Sequence, residues 1–258
     1  MTGTLPHYTG LEPVRRRART AALSLFLAAW CLPAGAQGLR FAYEPAARFG
    51  AGPATVMTMR GEVQLGDAAR FRRFVLDDPR RFIEHGGRVV FVIDGGDVTE
   101  AILLGEALRD TLGEAWLPDS ASSRCVSACF FMFVHAVART AVADAVGMHR
   151  PYFDSQALAR ASPESVRARY ESLAAELRAR MQQLSVPVAL VERMFALAAG
   201  EVHWLSREEL AALGHRQAWF DDYVTARCGG ANEEAACVDD LLRAHRKGLV
   251  DNLAVRRD

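Results

Sequence analysis

The five residues from Val89 to Ile93, VVFVI, restrict this chain more than any other stretch. They are β-branched or aromatic with no polar break, the pattern of a strand buried on both faces. Such strands belong to parallel sheets covered by helices. Gly95-Gly96 interrupts the run, and helical spacing follows from about Val98 to Leu112, with Ile102, Leu103, Ala107 and Leu108 on the inner face. The rest of the chain alternates in the same way. Thr55 to Leu65 reads as a strand pair or one bent strand, broken at Gly61. Asp67 is placed to cap an amphipathic helix through Phe71, Phe74 and Val75. Trp116-Leu117 suggests a short strand, Ser127 to Val137 a buried helix, and Ala145 to His149 a short strand closed by Pro151. Pro163 opens a long charged helix to about Leu184, and Pro187 opens another ending near Gly200. Val202 to Leu205 reads as a strand, and Ser206 with Glu209 forms a capping box for the next helix. Strands alternating with helices predict an α/β fold with a mostly parallel sheet and flanking helices.

The N-terminus reads as an export signal. Arg15, Arg16, Arg17 and Arg19 precede an apolar stretch from Ala21 to Leu32, and Ala34-Gly35-Ala36 gives the small-x-small pattern of a cleavage site. The stretch is shorter than the ~20 residues of a spanning helix. Residues 1–36 are therefore expected to be removed on export to the periplasm; an uncleaved N-terminal anchor is the alternative. Of 31 basic and 31 acidic residues, cleavage takes away four arginines and Glu12, leaving a net charge of about −3. Nothing in that balance points to nucleic acid as a partner. Lys247 is the only lysine and lies near the C-terminus, which disfavours Ser/Lys dyad chemistry.

Four cysteines remain after cleavage, an even number suited to disulfides in an oxidising compartment. Cys228 and Cys237 bracket a short loop and are expected to pair. Cys125 and Cys129 flank Ser127 and read as a structural bridge or as buried thiols, with three connectivities open to the four cysteines; a bridge here would stiffen the turn that presents the serine. Their spacing is not that of a Cys-x-x-Cys redox pair. His85, His215 and His245 show no metal-ligand spacing, so no metal is expected, and no cofactor.

Three features occur in an order that suits acyl transfer. Gly95-Gly96 after a buried strand would let backbone N–H groups approach a developing oxyanion. Ser127 stands at the start of a buried helix, where the dipole favours negative charge. His149, before Arg150-Pro151, could take the serine proton. His135, on the apolar helix, reads as structural.

These stretches resemble the Clp protease proteolytic subunit. VVFVIDGGDV (89–98) is similar to its strand and Gly-Gly element, CVSACFFMFVHAVAR (125–139) to its nucleophile helix, GMHRP (147–151) to its catalytic-histidine strand, and VHWLSREELAALG (202–214) to a later element. The resemblance covers about residues 55–222 and implies a ClpP/crotonase-like fold. It also implies Ser127 as nucleophile, His149 as base, and an oxyanion hole from Gly95-Gly96 and Ala128. Peptide or unfolded polypeptide would be the substrate, extended beside the glycines. The family's long charged helix helps build its oligomer, which implies a homo-oligomer here; a solvated face with pairs such as Glu171 with Arg167 or Arg178 is the other reading. Export removes the ATP-driven unfoldase, so activity would be energy-independent.

The chain departs from the pattern at two points. Asp94 replaces the proline before Gly-Gly, and the position of the triad acid holds Val202. Glu201 is its neighbour and the candidate third member; Asp154 is another. Two classes stay open: an exported serine peptidase-like hydrolase, and a catalytically inactive binding or scaffold protein of the cell envelope. A crotonase acting on coenzyme A thioesters is disfavoured by export. The expected organisation is a signal peptide over 1–36, a lead-in over 37–54, the ClpP-like domain over 55–222, and a C-terminal tail with a local disulfide over 223–258.

Overall fold

The computed structural model describes residues 38–50, 54–119, 121–152, 161–229 and 235–255. The leader over 1–36 and Asp154 lie outside the described residues. The expected α/β class is observed, a mostly parallel sheet with flanking helices.

The Val89–Ile93 run forms the middle of β3 (Arg88–Gly96). Its side chains alternate between two faces. Val89, Phe91 and Ile93 point into the main core, while Val90 packs in a smaller cluster with Ala46, Phe49, Val56 and Trp116. Phe91 is completely buried, so truncation to alanine would cost about 3–5 kcal/mol. The strand does not stop at the glycines, as the sequence suggested, but runs through both.

On one side β3 pairs with β2 (Thr55–Val63), parallel, with a register shift between Gly61 and Val63. Thus the bent-strand reading of this stretch holds. On the other side β3 divides its partners. Its first half pairs with β4 (Glu114–Leu117), which pairs onward with β6 (Ala138–Ala141). Its second half pairs with β5 (Arg124–Val126), which is followed by β7 (Val146–Met148) and the antiparallel β8 (His203–Trp204). The branch places the C-terminal ends of β3, β5 and β7 side by side, where open parallel sheets carry their sites.

The helices α1 (Asp67–Asp77), α3 (Val98–Asp110) and α4 (Ala128–His135) cover the main-core face; α2 (Pro79–His85) packs nearby on β2. Three local expectations are corrected. Asp67 does not cap α1. It is fully buried and accepts N–H bonds from Leu39 and Gln64, both 2.9 Å, while Glu100 of α3 accepts the Ala68 N–H at 2.6 Å. Leu103 is not on the inner face of α3; it is 41% exposed, and Leu104 and Gly105 face inward, with Gly105 against the His135 ring. The lead-in carries a strand, β1 (Arg40–Pro45), antiparallel to β2 and held by Asp67 through Leu39.

The later helices are α5 (Pro163–Gln183), α6 (Val188–Ala196), α7 (Arg207–Leu213), α8 (Ala218–Cys228) and α9 (Ala235–Val255). The capping box of α7 forms as read from Ser206 and Glu209. Arg178 of α5 pairs with Glu192 of α6, not with Glu171. The region expected to be a tail is largely α9, which packs on α1, α2 and α8 and buries Val250. Cys228 and Cys237 are bonded and join α8 to α9. Among the described residues, no helix is long and apolar enough to cross a membrane.

Candidate active site

Ser127 follows the last residue of β5 and precedes the first of α4. Its backbone has φ 61° and ψ −120°, a combination that non-glycine residues avoid and that costs of order 1–3 kcal/mol. A sharp, strained strand-to-helix turn of this kind lifts a serine hydroxyl above the end of a sheet. Hydrogen bonds hold both sides of it. The Ser127 N–H donates to Gly147 O at 3.0 Å, and its carbonyl accepts the Phe130 N–H at 2.9 Å. A bond between Cys125 and Cys129, both fully buried, closes the turn with their Cα atoms 5.1 Å apart.

Both expected glycines have positive φ, 125° at Gly95 and 123° at Gly96, but they serve different neighbours. A Cβ on Gly95 would stand 3.0 Å from Ser127 Cβ and 3.2 Å from its Oγ. Glycine at 95 therefore lets β3 pass directly beside the serine. A Cβ on Gly96 would instead collide with the backbone of Val63 in β2. Ala128 is buried at the first position of α4, and first-turn N–H groups have no intrahelical acceptor.

His149 is the residue after β7, two beyond the Gly147 that holds the Ser127 N–H. Its Nδ1 lies 2.8 Å from the Arg150 carbonyl, and its ring stacks on exposed Tyr152 with centroids 5.3 Å apart. A carbonyl only accepts, so the proton is on Nδ1, and in the neutral ring Nε2 is left as a bare acceptor. No hydrogen bond joins Ser127 and His149 among the described residues in this conformation.

The acid candidates lie elsewhere. Met148 pairs with His203, so Val202 is level with His149. Val202 packs over Gly147, its Cγ1 3.0 Å from where a Gly147 Cβ would stand. The Glu201 carboxylate accepts the Ala198 N–H at 3.0 Å within its own turn. His203 turns to Glu209, 2.9 Å away, which also accepts the Ser206 N–H and pairs with Arg193. Burial alone would raise the Glu209 carboxyl, but the Ser206 N–H, His203 and Arg193 together hold it below its usual range.

At the far end of α4, His135 is buried and donates Nδ1–H to Phe131 O at 2.6 Å, and burial keeps its pKa below the ordinary value. Arg139, which closes the motif, is pushed down by burial to about 10 and is charged at neutral pH. It donates to Val134 O and Leu213 O, each at 3.1 Å. Gln217 Nε2 donates to His135 O at 2.9 Å and Ala136 O at 3.0 Å. Sequence reasoning missed the roles of Arg150 O, Tyr152 and Gln217. Only Tyr152, an aromatic just past the His-Arg-Pro stretch, left a signal.

Among the described residues, no three His, Cys, Asp or Glu side chains converge as a metal site requires. A cleft of about 750 Å³ lies between α3, α8 and α9, lined by Arg109, Leu112, Trp219, Tyr223 and Leu249, and includes no residue of the serine turn.

No protein-family model matches the chain, and no curated protein does. Among solved structures, the chain is similar to a mutant of the 1510-N membrane-bound stomatin-specific protease, with 12% identity and a TM-score of 0.42 over 62% of this chain and 75% of that one. It is also similar to the enoyl-CoA hydratase EchA3 of Mycobacterium ulcerans, with 10% identity and a TM-score of 0.37 over 86% and 100% of the two chains. An enoyl-CoA hydratase of Bacillus halodurans gives 10% identity and a TM-score of 0.33 over 85% and 90%.

Proposed function

We propose that this protein is an exported, energy-independent serine hydrolase that forms an acyl-enzyme at Ser127, with peptide or unfolded polypeptide as substrate. The observation that carries the reading is the strained backbone of Ser127, held between Gly95 and the end of β7 that leads into His149. Strain of this size persists where surroundings impose it, and it concentrates at functional sites.

In this reading Ser127 Oγ attacks the acyl carbonyl while His149 Nε2 takes its proton. The Gly96 and Ala128 N–H groups receive the oxyanion. His149 then returns the proton to the leaving group, and water repeats the sequence to release the acid. The Arg150 carbonyl keeps the ring in the tautomer this requires. Catalytic hydrogen bonds in such sites tighten in the substrate complex. A dipole in place of a carboxylate stabilises the imidazolium less, so turnover is slow. Two formed disulfides and the Arg-then-apolar leader support an oxidising, periplasmic location.

A fluorophosphonate probe tests the reading. Mature wild type labels and Ser127→Ala does not; an unlabelled wild type, or equal labelling of the two, defeats it. Val202→Asp, level with His149, raises the labelling rate. The rival reading is a binding or scaffold protein on the same fold, favoured by Val202 at the acid register and by the diversion of Glu201. It expects no labelling of wild type or of Val202→Asp.

A further inference from the structure

The strain at Ser127 needs a device to maintain it. Hydrogen bonds fix the turn at its base, through Ser127 N–H to Gly147 and Cys125 N–H to Ala145, and at its top, through Phe130 N–H to Ser127. Among the described residues, only the Cys125–Cys129 bond joins β5 to the first turn of α4 across the turn, with the serine at its midpoint. Both sulfurs sit in the core, in residues that are fully buried. Bonded sulfurs are about 2 Å apart, whereas unbonded ones need well over 3 Å. In packing this tight the separation has to be absorbed by the backbone between them, which is the serine turn.

We propose that Cys125 and Cys129 are positioning residues for Ser127, and that the hydrolase is competent only with these two cysteines oxidised. The inference rests on the reading of Ser127 as nucleophile. In the dithiol form the turn widens, the first turn of α4 loosens, and Ser127 leaves its positive φ, moving its hydroxyl and the Ala128 N–H out of line. Closing the bond joins two thiols into one disulfide. Two electrons and, by way of solvent, two protons pass to an oxidant of the thiol–disulfide exchange class, a protein disulfide donor or oxidised glutathione, whose own S–S bond breaks to give two thiols. A chain still in a reducing compartment would therefore be silent, and exposure to an oxidising one would activate it. The peripheral Cys228–Cys237 bond joins two outer helices and has no part in this.

The test uses the mature chain carrying Cys228→Ser and Cys237→Ser, so that a single disulfide remains. Fluorophosphonate labelling and amide hydrogen exchange are followed in the oxidised form, after phosphine reduction, and in Cys125→Ala/Cys129→Ala. On reduction, labelling should slow at least tenfold in the bond-forming step, with probe binding little changed, and recover with oxidised glutathione. Exchange at the Ser127 and Phe130 amides should rise at least tenfold while β3 and α3 stay protected. The double alanine variant should behave as the reduced form, with circular dichroism reporting that it is folded. Equal labelling and equal exchange in the two redox forms overturn the proposal. If the oxidised protein itself does not label, the nucleophile reading fails and exchange alone decides: unchanged protection overturns the clamp, and lost protection upholds it.

Discussion

The two ends of α4 are built in opposite ways. At the C-terminal end the carbonyls are taken up: Gln217 bonds those of His135 and Ala136, and Arg139 bonds that of Val134. A buried cation there also suits the negative end of the helix dipole. At the N-terminal end Ser127 offers no side-chain cap to the helix and sits in a conformation that costs energy. A helix that only had to be stable would have an ordinary cap at that position. One end anchors the helix; the other is held in a costly conformation, which in the proposed reading presents a hydroxyl and N–H groups to substrate.

Breaking the anchored end has the largest effect. Arg139→Ala strips two buried carbonyls of their donor and leaves a cavity, lowering unfolding stability by about 3 kcal/mol in urea titration. Gln217→Ala opens two carbonyls and the Trp219 indole N–H, for a loss of about 2 kcal/mol in the same measurement. The other end responds in the opposite direction. Glycine accepts φ 61° and ψ −120° without strain, so Ser127→Gly raises stability by about 1 kcal/mol while abolishing labelling. A loss of stability there would mean that the turn is not strained.

The smallest effect is a pH dependence. His135 is held neutral, foremost by burial, with its pKa below the ordinary 6.5. The unfolded chain takes up its proton at the ordinary value. The stability associated with the neutral ring is therefore complete above about 6.5 and falls as pH drops below it. Glu209, also depressed, adds a loss of the same sign at lower pH. Thermal melts between pH 7 and 5 should decline for wild type and be flatter for His135→Gln.

Much of this arrangement is legible in the residues. The β-branched run named β3, small residues around Ser127 marked a helix start with little above it, and the Ser206–Glu209 box formed as spelled. Other points were not legible, for physical reasons. The inner face of α3 is set by how closely Gly105 approaches His135, and that contact turns Leu103 outward. Asp67 looks like a cap, yet one carboxylate oxygen accepts the N–H of Gln64, three residues before it, and of Leu39, which the fold brings to it. β1 shows no apolar alternation because it is an edge strand with mostly half-buried side chains.

By itself the sequence determined the alternation of strands and helices around β3, and the glycines, serine and histidine that stand in line for chemistry. These follow from local propensity and spacing, which act over a few residues. Tertiary structure decided the rest: the branching of β3, the surroundings that hold the strain at Ser127, and Val202 level with His149. Each depends on register between segments distant in the chain, and register is fixed only when the sheet closes and the core packs.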